Sequence, residues 1–401
     1  MKTFSAIFLV IFSVLLAYIM QAYQANQMPT FPECDRESYR EFVTQLKHYA
    51  NQSSVPGYQH LHGECAFSQT YELARSKFLH AIKQVGASHT SIPVGTDGLS
   101  IDVAEIAGST DNFLISLSGV HGPEGFAGSA IQTSLIELIS NSPEMQKLYN
   151  SAEESRKAPT LIFIHALNPY GFANNRRFNE DNIDVNRNFL TEKQFKEVMA
   201  RDPNFAGYMD VDFMINPKSM PFGNNLFFND IWGHLKSAYA VARYGITPIK
   251  RALVAGNYFR QSGLGFGGFK RSLSAETLIN IAKIKNLHNA KKITLLDHHT
   301  GLGPSGTDTL ALLGRGNAEF ETMLDKMFPL EMDGDVIVGG AKASTAEGSA
   351  MSGYELTIGT VDDFCKTWMA PNADHTRDVL CITQEFGSKL NFGCIIVKLH
   401  V

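Results

Sequence analysis

With 401 residues, 44% of them hydrophobic and 19% charged, the chain has the composition of an ordinary globular protein with room for one large α/β domain or two medium ones. A formal net charge of −5 provides no basic field to hold nucleic acid, which argues against that class of partner.

Met1-Lys2-Thr3 precedes an apolar run from Phe4 to Met20, broken by Ser5 and Ser13 and closed by Gln21, Gln24, Asn26 and Gln27. One positive charge ahead of such a run is the pattern of a secretory signal. Cleavage after Ala25 removes residues 1–25; bulky Tyr23 stands where a small residue is preferred, so an uncleaved anchor is the alternative. Either way the remainder enters the secretory pathway, secreted or lumenal, and touches a membrane only through a retained anchor. Asn51-Gln52-Ser53 is a glycosylation acceptor in that setting. Oxidising surroundings predict that Cys34 pairs with Cys65 and that a second bridge forms among Cys365, Cys381 and Cys394. None of the five cysteines has metal-ligand spacing.

Residues 26–66 read as an appended leader, polar, with a helical piece around Glu37–Tyr49 and Gly/Pro/Ser punctuation at Ser53–Gly57. Residues 67–401 form the main domain. Tyr71, Leu73, Ala74, Phe78, Leu79, Ile82 and Val85 recur at helical spacing before Gly86 supplies a stop. Leu99–Ile106 alternates as a strand, and Phe113–Leu117 reads as a buried one. The latter runs into Ser118-Gly119-Val120-His121-Gly122-Pro123-Glu124-Gly125-Phe126-Ala127-Gly128-Ser129, followed by helical spacing from Ala130 to Leu138. A His and a Glu three positions apart, leaving a strand through a Gly-rich turn, can point at one place, as two metal ligands do.

Thr160–Ala166 has the continuous apolar run of a central parallel strand. It empties through Asn168-Pro169-Tyr170-Gly171-Phe172 into Asn174–Phe189, too rich in amides, carboxylates and guanidinia to be core. Asn186 and Arg187 there offer planar groups side by side, and Arg suits recognition of a carboxylate. Residues 191–290 say least: helical patterns at Ile231–Ala242 and Ser274–Leu287, and a Gly/aromatic loop at Asn257–Gly268 with no strand leading into a phosphate-binding fingerprint. Ile293–Leu296 is a buried strand ending in Asp297-His298-His299-Thr300-Gly301, and Val379–Thr383 another, ending in Gln384-Glu385-Phe386-Gly387. Four polar clusters, each at the exit of a predicted buried strand, lie along one edge of one sheet, where open α/β sheets place their ligands. The combination predicts a metal-dependent hydrolytic site, with Glu385 able to take a proton and return it.

Together these segments resemble the zinc carboxypeptidase (carboxypeptidase A-like) superfamily. Ser118–Ser129, Asp297–Pro304 and Gln384–Gly387 are similar to an uncharacterised branch of it, over about Ser68–Ser388. The resemblance implies an α/β fold with a mostly parallel mixed sheet between helices. It also implies one zinc per chain bound by His121, Glu124 and His299, with His298 in the place of an apolar residue. By the same resemblance Asp184 orients His121, Arg177 polarises the scissile carbonyl, and Asn186 and Arg187 hold a substrate carboxylate. Glu385 is the general base and then acid, and Tyr354 is the candidate for the substrate-capping tyrosine, although no local motif singles it out. The family's long carboxy-terminal helix after the glutamate is replaced here by a short apolar tail, Leu390–Val401, that reads as a strand, and Pro123 stands where relatives carry an apolar residue. The implied reaction is hydrolysis of an amide bond next to a free carboxylate, on a peptide or on an N-acyl amino acid as in the aspartoacylase type. A non-catalytic secreted binding protein is the alternative from another class. A serine hydrolase finds no Gly-x-Ser-x-Gly elbow in the chain.

Overall fold

The apolar runs assemble into one eight-stranded sheet, ordered β1-β2-β4-β3-β5-β8-β6-β7. Its strands are β1 (Ser88–Val94), β2 (Leu99–Ile106), β3 (Ser109–Leu117), β4 (Pro159–His165), β5 (Lys292–Thr300), β6 (Asp308–Ala311), β7 (Val336–Gly339) and β8 (Asp378–Phe386). The computed structural model describes residues 34, 36–50, 63–95, 98–218, 221–223, 225–302, 308–311, 336–339, 354–371 and 377–387. The signal or anchor at 1–25, the acceptor Asn51, the loop residues Gly303 and Pro304 and the tail Leu390–Val401 lie outside the described residues.

The centre of the sheet, β4-β3-β5-β8, is parallel throughout, while β1 and β2 join antiparallel at one side and β6 joins β8 antiparallel at the other and pairs in parallel with β7, so the class is α/β with a mixed sheet between helices. Alternation along β4 divides the core. Leu161 and Phe163 pack with Phe78, Ile136 and Ile139 from the helices Tyr71–Gln84 and Gly125–Asn141. Ile162 and Ile164 pack with Leu278, Ile279 and Phe364 from the helices Leu273–Ile284 and Val361–Phe364. Successive residues point to opposite faces, which is why a two-sided core demands the unbroken apolar run seen in the sequence.

The helix Tyr71–Gln84 starts where Thr70 accepts a hydrogen bond from the Leu73 amide and ends before Gly86, whose φ of 70° suits glycine. The described residues ahead of Tyr71 are tied to this body. Cys34 and Cys65 form a disulfide, and Phe42 of the helix Arg36–Ala50 packs with Cys65, Ala66 and Ala130. The second disulfide joins Cys365 to Cys381, clamping the segment after Phe364 onto β8.

His165 closes β4 without exposure to solvent, its Nε2 hydrogen-bonded to Ser129 Oγ at 2.9 Å and its ring stacked 4.5 Å from that of Phe78. Burial pushes its pKa down to about 4. An unfolded imidazole titrates near 6.5, so the unfolded chain binds a proton that the folded chain refuses until about pH 4. Stability attributable to this group is therefore complete above the unfolded value and declines as pH falls through that window, by at most about 1.4 kcal/mol per pH unit. Urea denaturation between pH 7 and about 4 is expected to show a shallower decline for His165→Gln than for the wild type.

Candidate metal centre

The carboxyl ends of the four parallel strands face one edge, and the polar segments meet there. After β3 the chain turns through Gly119, with φ of 66°, to His121, and the helix Gly125–Asn141 begins immediately after Glu124. A Cβ on Gly122 would lie 2.0 Å from the carbonyl carbon of Gly171, so only glycine lets the turn bearing His121 press against the turn that follows β4. The helix amino terminus favours a carboxylate at Glu124.

His121 Nδ1 lies 3.1 Å from Glu124 Oε1, and His299 Nδ1 lies 2.6 Å from Glu124 Oε2. The ligand atoms of His121, Glu124 and His299 all fall within 4.8 Å of one another, the rings meeting edge to face. Each ring's other nitrogen is held by a buried carboxylate: His121 Nε2 by Asp184 Oδ1 at 3.2 Å, His299 Nε2 by Asp297 Oδ2 at 2.7 Å. Such a carboxylate fixes ring orientation and tautomer and turns the opposite nitrogen inward as a ligand. Two imidazole nitrogens and one carboxylate form a donor set that fits zinc.

Charge follows the same geometry. Burial favours a protonated Glu124, yet the charges of His121 and His299 and their hydrogen bonds hold it well below the usual carboxylate range. Burial likewise opposes a charged His299, but Asp297 and Glu124 outweigh it and raise its pKa well above the usual imidazole value. Asp297→Asn is expected to weaken metal affinity by about 10- to 100-fold, since an amide orients the ring with less basicity behind it. A competition titration against a metallochromic chelator measures this directly.

Glu385 is the register partner of His299 on the adjacent strand. Its Oε2 accepts from the Leu302 amide at 3.3 Å. Burial foremost, and the charge of Glu124, raise its pKa against the opposing pull of His299. Arg177 donates from Nε to Asp184 Oδ2 at 3.0 Å and brings Nη1 to 3.8 Å from Glu124 Oε1. Asp184 thus touches both His121 and Arg177. Asn186 accepts from the Val361 amide at 2.9 Å through Oδ1. Arg187 is buried, and its Nε and Nη1 donate to the carbonyls of Val254 and Asn186. Tyr354, at the start of a short turn, lies within electrostatic reach of Glu385, Arg187, Arg177 and Glu124, and burial more than these charges raises its pKa.

His298 is outside the cluster. Its Nε2 meets Ser116 Oγ and its Nδ1 meets Gln384 Oε1, both at 2.9 Å, as part of a row across β3, β5 and β8 that Gln384 extends to Asp308 Oδ2 at 2.7 Å. Being next to His299 in a strand, it points to the opposite face. Two contributors had no assigned part in the sequence reading. Asp297 stands two residues before His299, hence on the same face, and that spacing was the available signal. The Gly/aromatic loop braces the polar segment: Phe266 O accepts from the Asp184 amide at 2.7 Å, Tyr258 Oη donates to Arg187 O at 2.8 Å, and Gly267 O accepts from Asn188 Nδ2 at 2.7 Å. Those bonds run to backbone atoms, which leave no mark in residue identity.

Residues 67–387 match the model of the family described as protein of unknown function (DUF2817). No curated protein matches the sequence. Among solved structures, bovine thrombin-activatable fibrinolysis inhibitor in complex with tick carboxypeptidase inhibitor is 11% identical at a TM-score of 0.45, over 83% of this chain and 93% of that one. Carboxypeptidase A from Helicoverpa armigera is 13% identical at 0.40, over 88% and 73%. The succinylglutamate desuccinylase from Chromobacterium violaceum is 12% identical at 0.34, over 80% and 70%. Similarity at these levels carries no assignment of function.

Proposed function

The chain belongs to the DUF2817 family, and we propose that it is a zinc-dependent hydrolase of the metallocarboxypeptidase kind, cleaving an amide bond next to a free carboxylate. Above all, support comes from the inward Nδ1 atoms of His121 and His299 and the Glu124 carboxylate, gathered within 4.8 Å and each ring braced by a buried aspartate. Those three residues would hold one zinc per chain, which when bound supplies a Lewis acid and lowers the pKa of water. Glu385, with a raised pKa beside that cluster, takes the proton of the attacking water and delivers it to the leaving amine. Arg177, steered by Asp184, donates to the oxygen that gains charge in the transition state. Arg187 and Asn186 hold the substrate carboxylate, and Asp184 orients His121.

Peptide carboxy-terminal hydrolysis and deacylation of an N-acyl amino acid use the same groups, so both substrate classes fall within the proposal. We place the catalytic domain at residues 67–401, behind the leader at 26–66 and the signal or anchor at 1–25. The amino-terminal apolar run and the two disulfides support a secreted or lumenal location. No helix of the described residues is long and apolar enough to cross a membrane. The test is a panel of peptides and N-acyl amino acids, each offered with a free and with an amidated carboxyl group. Release of amino acid from the free acids alone is expected; equal cleavage of the amides contradicts the assignment of Arg187.

A further inference from the structure

Large hydrophobic side chains are exposed at fifteen described positions, and nine of them fall between Phe205 and Ile246. In the helix Leu226–Tyr244, Phe228, Trp232, Leu235 and Tyr239 follow one another at helical spacing and are 48%, 42%, 49% and 59% exposed. The opposite side of that helix already packs inward, through Ala240, Val241 and Tyr244, against Ile215 and Ile249. That inward packing leaves the aromatic stripe on the outer side of the helix. Phe213 of the helix Tyr208–Ile215 extends it, its ring 5.9 Å from that of Tyr239. Between the two helices lies a groove of about 440 Å³ whose lining includes Met209, Phe213 and Trp232 together with Lys218 and Lys236, the latter donating from Nζ to Phe213 O at 3.2 Å.

We propose that this aromatic face seats the protein on a lipid bilayer bearing anionic headgroups. Trp, Tyr, Phe and Leu on one face with lysines beside them is the arrangement of helices that lie in the membrane interface. Lys218 and Lys236 complement anionic lipid. Arg243 in the last turn adds a third cation, while Asp212, the acid in the groove, is paired with Arg260 at 2.5 Å. The inference is independent of the hydrolase proposal.

Trp232 is one of two tryptophans, and the other, Trp368, stacks on Phe364, so the full chain with Trp368→Phe reports on the face alone. Mixed with phosphatidylcholine vesicles containing phosphatidylglycerol, it is expected to show a blue-shifted Trp232 emission that brominated acyl chains quench. Phe228→Ser with Leu235→Ser is expected to weaken vesicle partition by about tenfold or more. Lys218→Glu with Lys236→Glu should abolish the preference for anionic over purely zwitterionic vesicles. Phe228, Leu235 and Lys218 are exposed, Lys236 and Trp368 are half-buried, and circular dichroism checks the fold of each variant; should a double variant fail it, the Trp232 quenching still decides. Flotation with vesicles while Trp232 stays unshifted and unquenched, as binding through the amino-terminal segment alone would give, overturns the proposal. So does an emission shift that grows with protein concentration in the absence of vesicles.

Discussion

Glu385→Gln is expected to lower kcat by about a thousandfold while leaving zinc content and fold intact, because the amide keeps the shape and loses the proton acceptor. Its Oε2 can still accept from the Leu302 amide through the amide oxygen, so the local backbone is preserved. A second signature separates a base from a structural residue. The carboxylate is the active form and exists only above its pKa, which burial and Glu124 raise. Activity of the wild type therefore falls as pH drops through a value above the ordinary carboxylate range. The residual activity of Glu385→Gln should lack that acid limb. A pH profile of kcat/KM for both proteins checks the point; an unchanged limb in the variant would assign the titration elsewhere.

Arg177→Met is expected to cost about 100- to 1,000-fold in kcat with little change in KM. Its Nε is committed to Asp184, so the Nη nitrogens are the ones available to an oxygen gaining charge. The contrast is Arg187→Met, which should act mainly on KM, because a carboxylate held equally in ground and transition states affects binding. Steady-state kinetics of the two variants on one substrate separates the roles. A matching loss of kcat in both would mean that the guanidinia act as one unit.

Much of this arrangement was legible because burial writes itself into apolar runs. Thr160–Ala166 and Ile293–Leu296 announced strands of a two-sided core, and their polar exits marked the edge where His121, Glu124, His299 and Glu385 meet. The order of strands was not legible, since β3 lies between β4 and β5 through pairings that no local residue encodes. β1 escaped notice because it is an edge strand, polar and mostly exposed, with no burial pattern to read. The helix Glu192–Met199 is short and is set by a Thr191–Gln194 capping box and by packing of Phe195 and Val198. The choice between His298 and His299 came from resemblance; strand alternation from Asp297 gives it a physical basis, with His298 turned to Ser116 and Gln384.

The central claim is that His121, Glu124 and His299 hold a zinc ion, and elemental analysis of the purified protein, never exposed to chelator, tests it most directly. About one zinc per chain is expected in the wild type, lost in His299→Ala and kept in His298→Ala. A folded wild type that carries no zinc and takes none up on titration, or a His299→Ala variant that retains the full complement, would contradict it.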